Sequence, residues 1–190
     1  MQPSDTKTAV QAVRYGATAI ALHWLVALLL LCGAAMGLYM VGLELSPAKL
    51  KLYSWHKWVG VSIFLVALVR VLWRLTHPVP PPPASLPAWQ QRAAWQTHAL
   101  LYLLLFVIPL SGWLMSSALG VQVVYFGVLP LPDLVQKDKV LGEQLKLLHL
   151  SLNVTLLLLV ALHVAAALKH HLLDRDDVLR RMLPARRPLR

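Results

Sequence analysis

The 190-residue chain has few charged residues and very few acidic ones. Asp and Glu number 8, against 18 Lys and Arg, and only 14% of the residues are charged while 58% are hydrophobic. This composition disfavours an ordinary soluble protein. The formal net charge of +10 does not indicate a nucleic-acid partner, because many of the basic residues flank apolar runs instead of forming a stripe on a soluble fold.

Cysteine is also nearly absent, since Cys32 is the only one and lies inside an apolar run. A single cysteine forms no intrachain disulfide, and without a Cys-x-x-Cys-His motif any haem would be held by ligation and not by thioether bonds. No nucleotide-binding or hydrolase motif is present. The apolar runs contain no Asp or Glu, which disfavours a proton-relay transporter.

Long apolar runs dominate what is present. Runs of about 20 residues can cross a hydrocarbon layer of roughly 30 Å. Three runs contain no charged residue, 17–43, 99–119 and 147–168, and a fourth, 58–73, is interrupted only by Arg70. We therefore expect an all-α integral membrane protein, a four-transmembrane-helix bundle. It forms a single domain over residues 1–190, with spans of about 17–43, 56–75, 97–119 and 147–171, a short arm 1–16 and a basic tail 172–190.

Four spans place both termini on the same side of the membrane. By this topology, 12 of the 18 Lys and Arg residues lie on the side of the termini and 6 on the other. Cytoplasmic loops of membrane proteins carry the excess of Lys and Arg. The sequence therefore predicts a multi-pass protein whose termini are both cytoplasmic.

Histidines inside the spans provide the functional signal. His149 and His163 are 14 positions apart, so they share one face of a helix at an axial distance of about 21 Å. The direction of each span places His23 level with His163, and His56 level with His149. A histidine pair at each of two depths suits haem ligation in a bundle core, whereas zinc prefers three or four clustered ligands. We predict these four histidines as axial ligands of two haems.

Three residues lie 14 positions beyond a histidine, on the same face and at the depth of the other pair: Gly37, Arg70 and Gly112. Glycines there would leave room for a macrocycle, and an arginine can pair with a propionate. His98 has three interpretations. It hydrogen-bonds to a propionate, acts as an alternative ligand, or is a polar helix end.

The stretches that contain these residues resemble the bacterial cytochrome b561 family. They are Ala21-Leu-His-Trp24, Ser54-Trp-His-Lys57, Arg70-Val-Leu-Trp-Arg74, Pro109-Leu-Ser-Gly112 and Leu162-His-Val-Ala-Ala-Ala-Leu-Lys-His-His171. The resemblance covers almost the whole chain. It implies a bacterial inner-membrane protein with two b-type haems, whose ligands map to the same four histidines. One branch of the family is a superoxide oxidase, which oxidises external superoxide and reduces ubiquinone.

From this resemblance we expect a superoxide:ubiquinone oxidoreductase in contact with membrane lipid. The alternative is a haem b subunit that relays electrons between quinone and a partner protein. For a superoxide oxidase, the lysines predicted to steer the anion are Lys57, Lys137 and Lys139. The predicted quinone site lies on the side of the termini and consists of His170, Arg74 and Lys169.

Overall fold

The computed structural model describes residues 14–82 and 86–184. Within them the chain forms four long helices, α1 (Ala17–Val41), α2 (Pro47–Thr76), α3 (Ala88–Ala118) and α4 (Lys139–Leu172). An antiparallel hairpin of β1 (Val124–Tyr125) and β2 (Leu129–Pro130) lies between α3 and α4, and a 3₁₀ turn (Arg180–Met182) follows α4. All four helices are long and apolar enough to cross a membrane, so the predicted four-helix membrane architecture is confirmed.

Helices α2, α3 and α4 all begin well before the apolar runs that predicted them, and polar side chains cap the first turns of α2 and α4. The Ser46 side chain accepts the backbone N–H of Lys49, and Pro47 occupies the first helical position. The Asp138 carboxylate accepts the backbone N–H groups of Val140 and Leu141 at the start of α4. As a result, His56 and His149 lie more than two turns inside their helices.

The helices pack in sequence order, with α1 along α2, α2 along α3 and α3 along α4. Their shared interior is apolar. One buried cluster joins three helices and contains Val26, Ile63, Ala67 and Leu105, and a second joins α3 and α4 and contains Leu104, Ile108 and Leu156. Leu156 lies seven positions from both His149 and His163, so this layer separates the two histidine depths. Most other apolar side chains face outward, as lipid contact requires.

The two ends of the bundle differ in what covers them. At one end, called here the termini side, the tail 175–184 folds across α1 and the α2–α3 connection. The Trp24 indole N–H donates to the Met182 carbonyl at 2.8 Å, and the Arg181 guanidinium donates to the Pro81 carbonyl at 2.7 Å. At the opposite end, the loop side, the hairpin lies against α2. There the Trp58 indole N–H donates to the Val124 carbonyl at 2.7 Å.

Helices α1 and α2 approach closely along a Gly33-x-x-x-Gly37 stripe. A methyl group at Gly33 would lie 3.4 Å from the Val59 Cγ1 atom and 3.7 Å from the Ile63 Cδ1 atom. Pairs of small residues four positions apart allow membrane helices to pack at short range. The stripe therefore determines how near α2, and with it His56, comes to α1.

A large side chain at Gly33 should separate α1 from α2. We expect Gly33→Leu to lower the free energy of unfolding by about 1–3 kcal/mol, because it overpacks a close helix contact. The measurement is the Tm of the detergent-solubilised protein. The matched control is Gly60→Leu, since a Cβ at Gly60 has no neighbour within 4 Å. Equal Tm values for the two variants would contradict the close contact.

Candidate functional site

On the termini side, α1 and α4 bring His23 and His163 together. Their ring centres are 6.3 Å apart, and the ring planes are inclined by 66°. His98 of α3 joins them, with its ring centre 5.2 Å from that of His163. The His98 Nδ1–H donates to the Ala94 carbonyl of its own helix at 2.6 Å. Three helices therefore supply histidines at this depth.

Arg70 of α2 lies beside the same group. Its guanidinium stacks on the Tyr102 ring, with the Cζ atom 5.2 Å from the ring centre. It is half-buried and within electrostatic range of His23 and His163. The predicted depth of Arg70 agrees with this position, whereas the supporting Tyr102 was not predicted.

On the loop side, α2 and α4 bring His56 and His149 together, with ring centres 6.4 Å apart and planes inclined by 84°. Glycines of the neighbouring helices face both rings. A Cβ at Gly37 would lie 3.4 Å from the His56 Cε1 atom, and a Cβ at Gly112 would lie 3.1 Å from the His149 Cε1 atom. The glycines thus make room first for the imidazole rings themselves, which the 14-residue spacing alone did not indicate.

The spacing within both pairs suits a shared metal ion. Two imidazoles on opposite sides of one metal, each with a metal–nitrogen distance of about 2 Å, have ring centres about 6 Å apart. The Nδ1 atoms of His23 and His56 are buried and have no hydrogen-bond partner within residues 14–82 and 86–184. Buried imidazoles that lack a protein partner are costly unless another group pairs with them.

His149 differs from these two because it has a side-chain partner. The Ser111 hydroxyl of α3 lies 2.9 Å from the His149 Nδ1 atom and 2.8 Å from the Ile108 carbonyl oxygen. Ser111 is buried, with 4% of its surface exposed. Sequence reasoning did not identify it. The sequence showed Ser111 within the Pro109–Gly112 stretch. It did not show that Ser111 contacts His149, which lies 38 positions later in the chain.

Two of the predicted quinone residues are held by acidic residues that follow α4. The His170 Nδ1–H donates to the Asp176 carboxylate at 2.7 Å, and the Lys169 ammonium donates to the Asp174 carboxylate at 2.6 Å. The Lys169 hydrogen bond lowers the pKa of the Asp174 carboxyl group below its ordinary value. The third residue, Arg74, is exposed at the end of α2.

The three predicted steering lysines lie on the loop side. Lys57 is half-buried beside His56, and its ammonium donates to the Val121 carbonyl at 3.2 Å. The Lys137 side chain covers Gly120 and lines an open cavity with Asp133. Lys139 is exposed at the first position of α4. Of the three, only Lys57 adjoins a paired histidine in the chain.

Comparison with known proteins agrees with this arrangement. Residues 14–185 match the family model described as prokaryotic cytochrome b561. The chain belongs to this family. Its members are electron-transfer membrane proteins that bind haem b, so the prediction from the histidine-containing stretches is confirmed at the level of the family.

Relatives in this family align along almost their whole length. Cytochrome b561 homolog 2 of Escherichia coli K12 is 37% identical over 171 residues, which cover 90% of this chain and 91% of the relative. The probable superoxide oxidase CybB of Yersinia pestis is 29% identical over 179 residues, with 92% and 98% covered. Cytochrome b561 homolog 1 of Escherichia coli K12 is 30% identical over 179 residues, with 92% and 99% covered.

The residues of both pairs fit the haem b that the family binds. Each pair offers two facing imidazoles from different helices at a suitable spacing. On the loop side, Gly37 and Gly112 leave room for the His56 and His149 rings. The apolar layer around Leu156 separates the two pairs, so each forms a site of its own.

Proposed function

We propose that this chain holds two b-type haems and oxidises superoxide to O2 while reducing ubiquinone. The haem assignment rests on two histidine pairs at two depths, with ring centres 6.3 and 6.4 Å apart. The proposed substrate rests on the similarity to the probable superoxide oxidase CybB. His23 and His163 would hold one haem on the termini side, and His56 and His149 would hold the other on the loop side. We propose that residues 1–190 form this one cytochrome domain, within which the family model matches residues 14–185.

Residues around the pairs take supporting roles in the proposal. A bound haem b supplies a one-electron Fe(III)/Fe(II) couple. Arg70, whose guanidinium stacks on the Tyr102 ring, is the proposed partner of a haem propionate. Guanidinium groups form bidentate hydrogen bonds with carboxylates. Because the His98 Nδ1–H donates to Ala94, the other nitrogen of the neutral ring would be an alternative ligand beside His163, and it would donate to a propionate only when the ring is protonated. Gly37 and Gly112 leave the room that the loop-side imidazoles would need to hold the haem.

The orientation follows the distribution of Lys and Arg. We propose that the protein lies in a bacterial inner membrane with both termini in the cytoplasm, because the basic residues are concentrated on the termini side. The loop side, with Lys57, Lys137 and Lys139, then faces outward. A cationic group near a reaction site attracts small anions and raises their association rate.

The proposed reaction balances with protons taken up at the termini side. Two superoxide anions each lose one electron and become O2, and one ubiquinone gains two electrons and two protons and becomes ubiquinol. We place the quinone near His170, Arg74 and Lys169. The His170 imidazole donates to the Asp176 carboxylate at 2.7 Å, and we propose this pair as the group that delivers a proton to a reduced quinone.

Removing one ligand of each pair tests the haem assignment. We expect His149→Ala and His163→Ala each to retain about half of the haem per chain, and to lower the Tm because a bound cofactor stabilises only the native state. His77→Ala is the matched control, since His77 is exposed and stacks on Trp73 outside both pairs. The measurement is the pyridine haemochrome absorbance per chain. Full haem content in either ligand variant would contradict the assignment of that histidine pair as haem ligands.

Reversing the charge at Lys57 tests the substrate. We expect Lys57→Glu to slow the reduction of the bound haem by superoxide roughly tenfold, the lower end of electrostatic steering effects, and added salt to slow the wild type. Stopped-flow absorbance measures the rate, and dithionite should still reduce both proteins completely. Arg92→Glu makes the same charge change on the termini side and should leave the rate unchanged. A rate that is indifferent to Lys57→Glu and to salt would contradict superoxide as the donor.

A second candidate function is that of a haem b subunit that relays electrons between quinone and a partner protein. It stands beside the first because cytochrome b561 homolog 2, at 37% identity, has a name that states no activity, whereas the probable superoxide oxidase CybB is 29% identical. The Lys57→Glu measurement separates the two functions. A subunit that serves a partner protein would not depend on superoxide or on the charge at Lys57.

A further inference from the structure

We propose that Ser111 is a positioning residue for His149. Its hydroxyl fixes which ring nitrogen of His149 is free to bind a metal, and it makes that nitrogen a stronger electron donor. The inference rests on the proposed function, because it concerns His149 as an axial ligand. It adds a residue of α3 to a site whose proposed ligands come from α2 and α4.

The hydrogen bonds of Ser111 determine the direction of the contact. The serine oxygen lies 2.8 Å from the Ile108 carbonyl, which can only accept, so the hydroxyl proton points there. A lone pair of the same oxygen then faces the His149 Nδ1 atom at 2.9 Å. With the hydroxyl proton on that carbonyl, Nδ1 carries the ring proton and donates it to the serine oxygen. The Nε2 atom is left unprotonated, which is the form that ligates iron.

The contact is more than the local bonding that a serine makes in any helix. A serine commonly donates to a carbonyl three or four positions earlier in its own helix, as Ser111 does to Ile108. The imidazole contact instead joins α3 to α4. The next residue, Gly112, leaves space for the same ring, because a Cβ there would come within 3.1 Å of the His149 Cε1 atom. Ser111 and Gly112 thus form the part of the α3 surface against which the His149 ring packs.

Among the residues that the structure describes, His149 is the one of the four proposed ligands whose imidazole has a side-chain hydrogen bond. The Nδ1 atoms of His23 and His56 have no side-chain partner there. An acceptor on the N–H of a metal-bound imidazole raises the basicity of the ligand. A more basic ligand favours Fe(III) over Fe(II) and lowers the reduction potential. Ser111 should therefore lower the potential of the loop-side haem without affecting the other.

The test is a spectroelectrochemical titration of the full-length holoprotein. Ser111→Ala should weaken the preference of the site for Fe(III) roughly tenfold, the lower end of outer-shell effects on metal sites, which raises one midpoint potential by about 59 mV for a one-electron couple. The second midpoint should not move. Ser111→Thr keeps the hydroxyl and should restore the wild-type value. Ser116→Ala is the matched control, because this buried serine of α3 donates to the Val121 carbonyl instead.

The outcomes separate this inference from the function on which it rests. A wild-type protein with a single haem and a single midpoint contradicts the two-haem proposal itself. Two midpoints that both stay unchanged in Ser111→Ala, with full haem content, overturn the role of Ser111 alone. If Ser111→Ala loses one haem, restoration by Ser111→Thr supports the hydroxyl contact. Loss of that haem in both variants, with Ser116→Ala intact, overturns it in favour of a packing role.

Discussion

In each half of the bundle, two imidazole rings from different helices face each other inside an apolar interior. A buried polar group without a partner is costly in hydrocarbon, so each ring must be paired for the bundle to be stable. This constraint accounts for much of the local sequence. It requires His149 and His163 on one face of α4, small residues where the helices approach the rings, and an apolar layer around Leu156 between the pairs.

The helical period explains how much of the site could be predicted from the sequence. The 14-residue interval between His149 and His163 fixes their common face, and the direction of each span gives the depth of His23 and His56. The structure places the rings of both predicted pairs opposite each other. These positions follow from the spacing of residues along single helices, and that spacing can be read directly from the sequence.

The parts that were not predicted depend on contacts between distant segments. Ser111 meets His149 across 38 positions, and the tail reaches Trp24 across 158. A pattern within one helix holds no information about such partners. The early start of α2 is different, because Ser46 and Pro47 are a local capping signal that apolar-run length overlooks. Hydropathy marks where lipid surrounds a helix and not where the helix begins.

The most direct test of the account is the haem stoichiometry of the purified wild-type protein. It compares pyridine haemochrome absorbance with the chain concentration from quantitative amino-acid analysis. Two facing histidine pairs predict two haems b per chain. A value of one haem per chain would contradict the central claim, because one of the two pairs would then hold no haem iron.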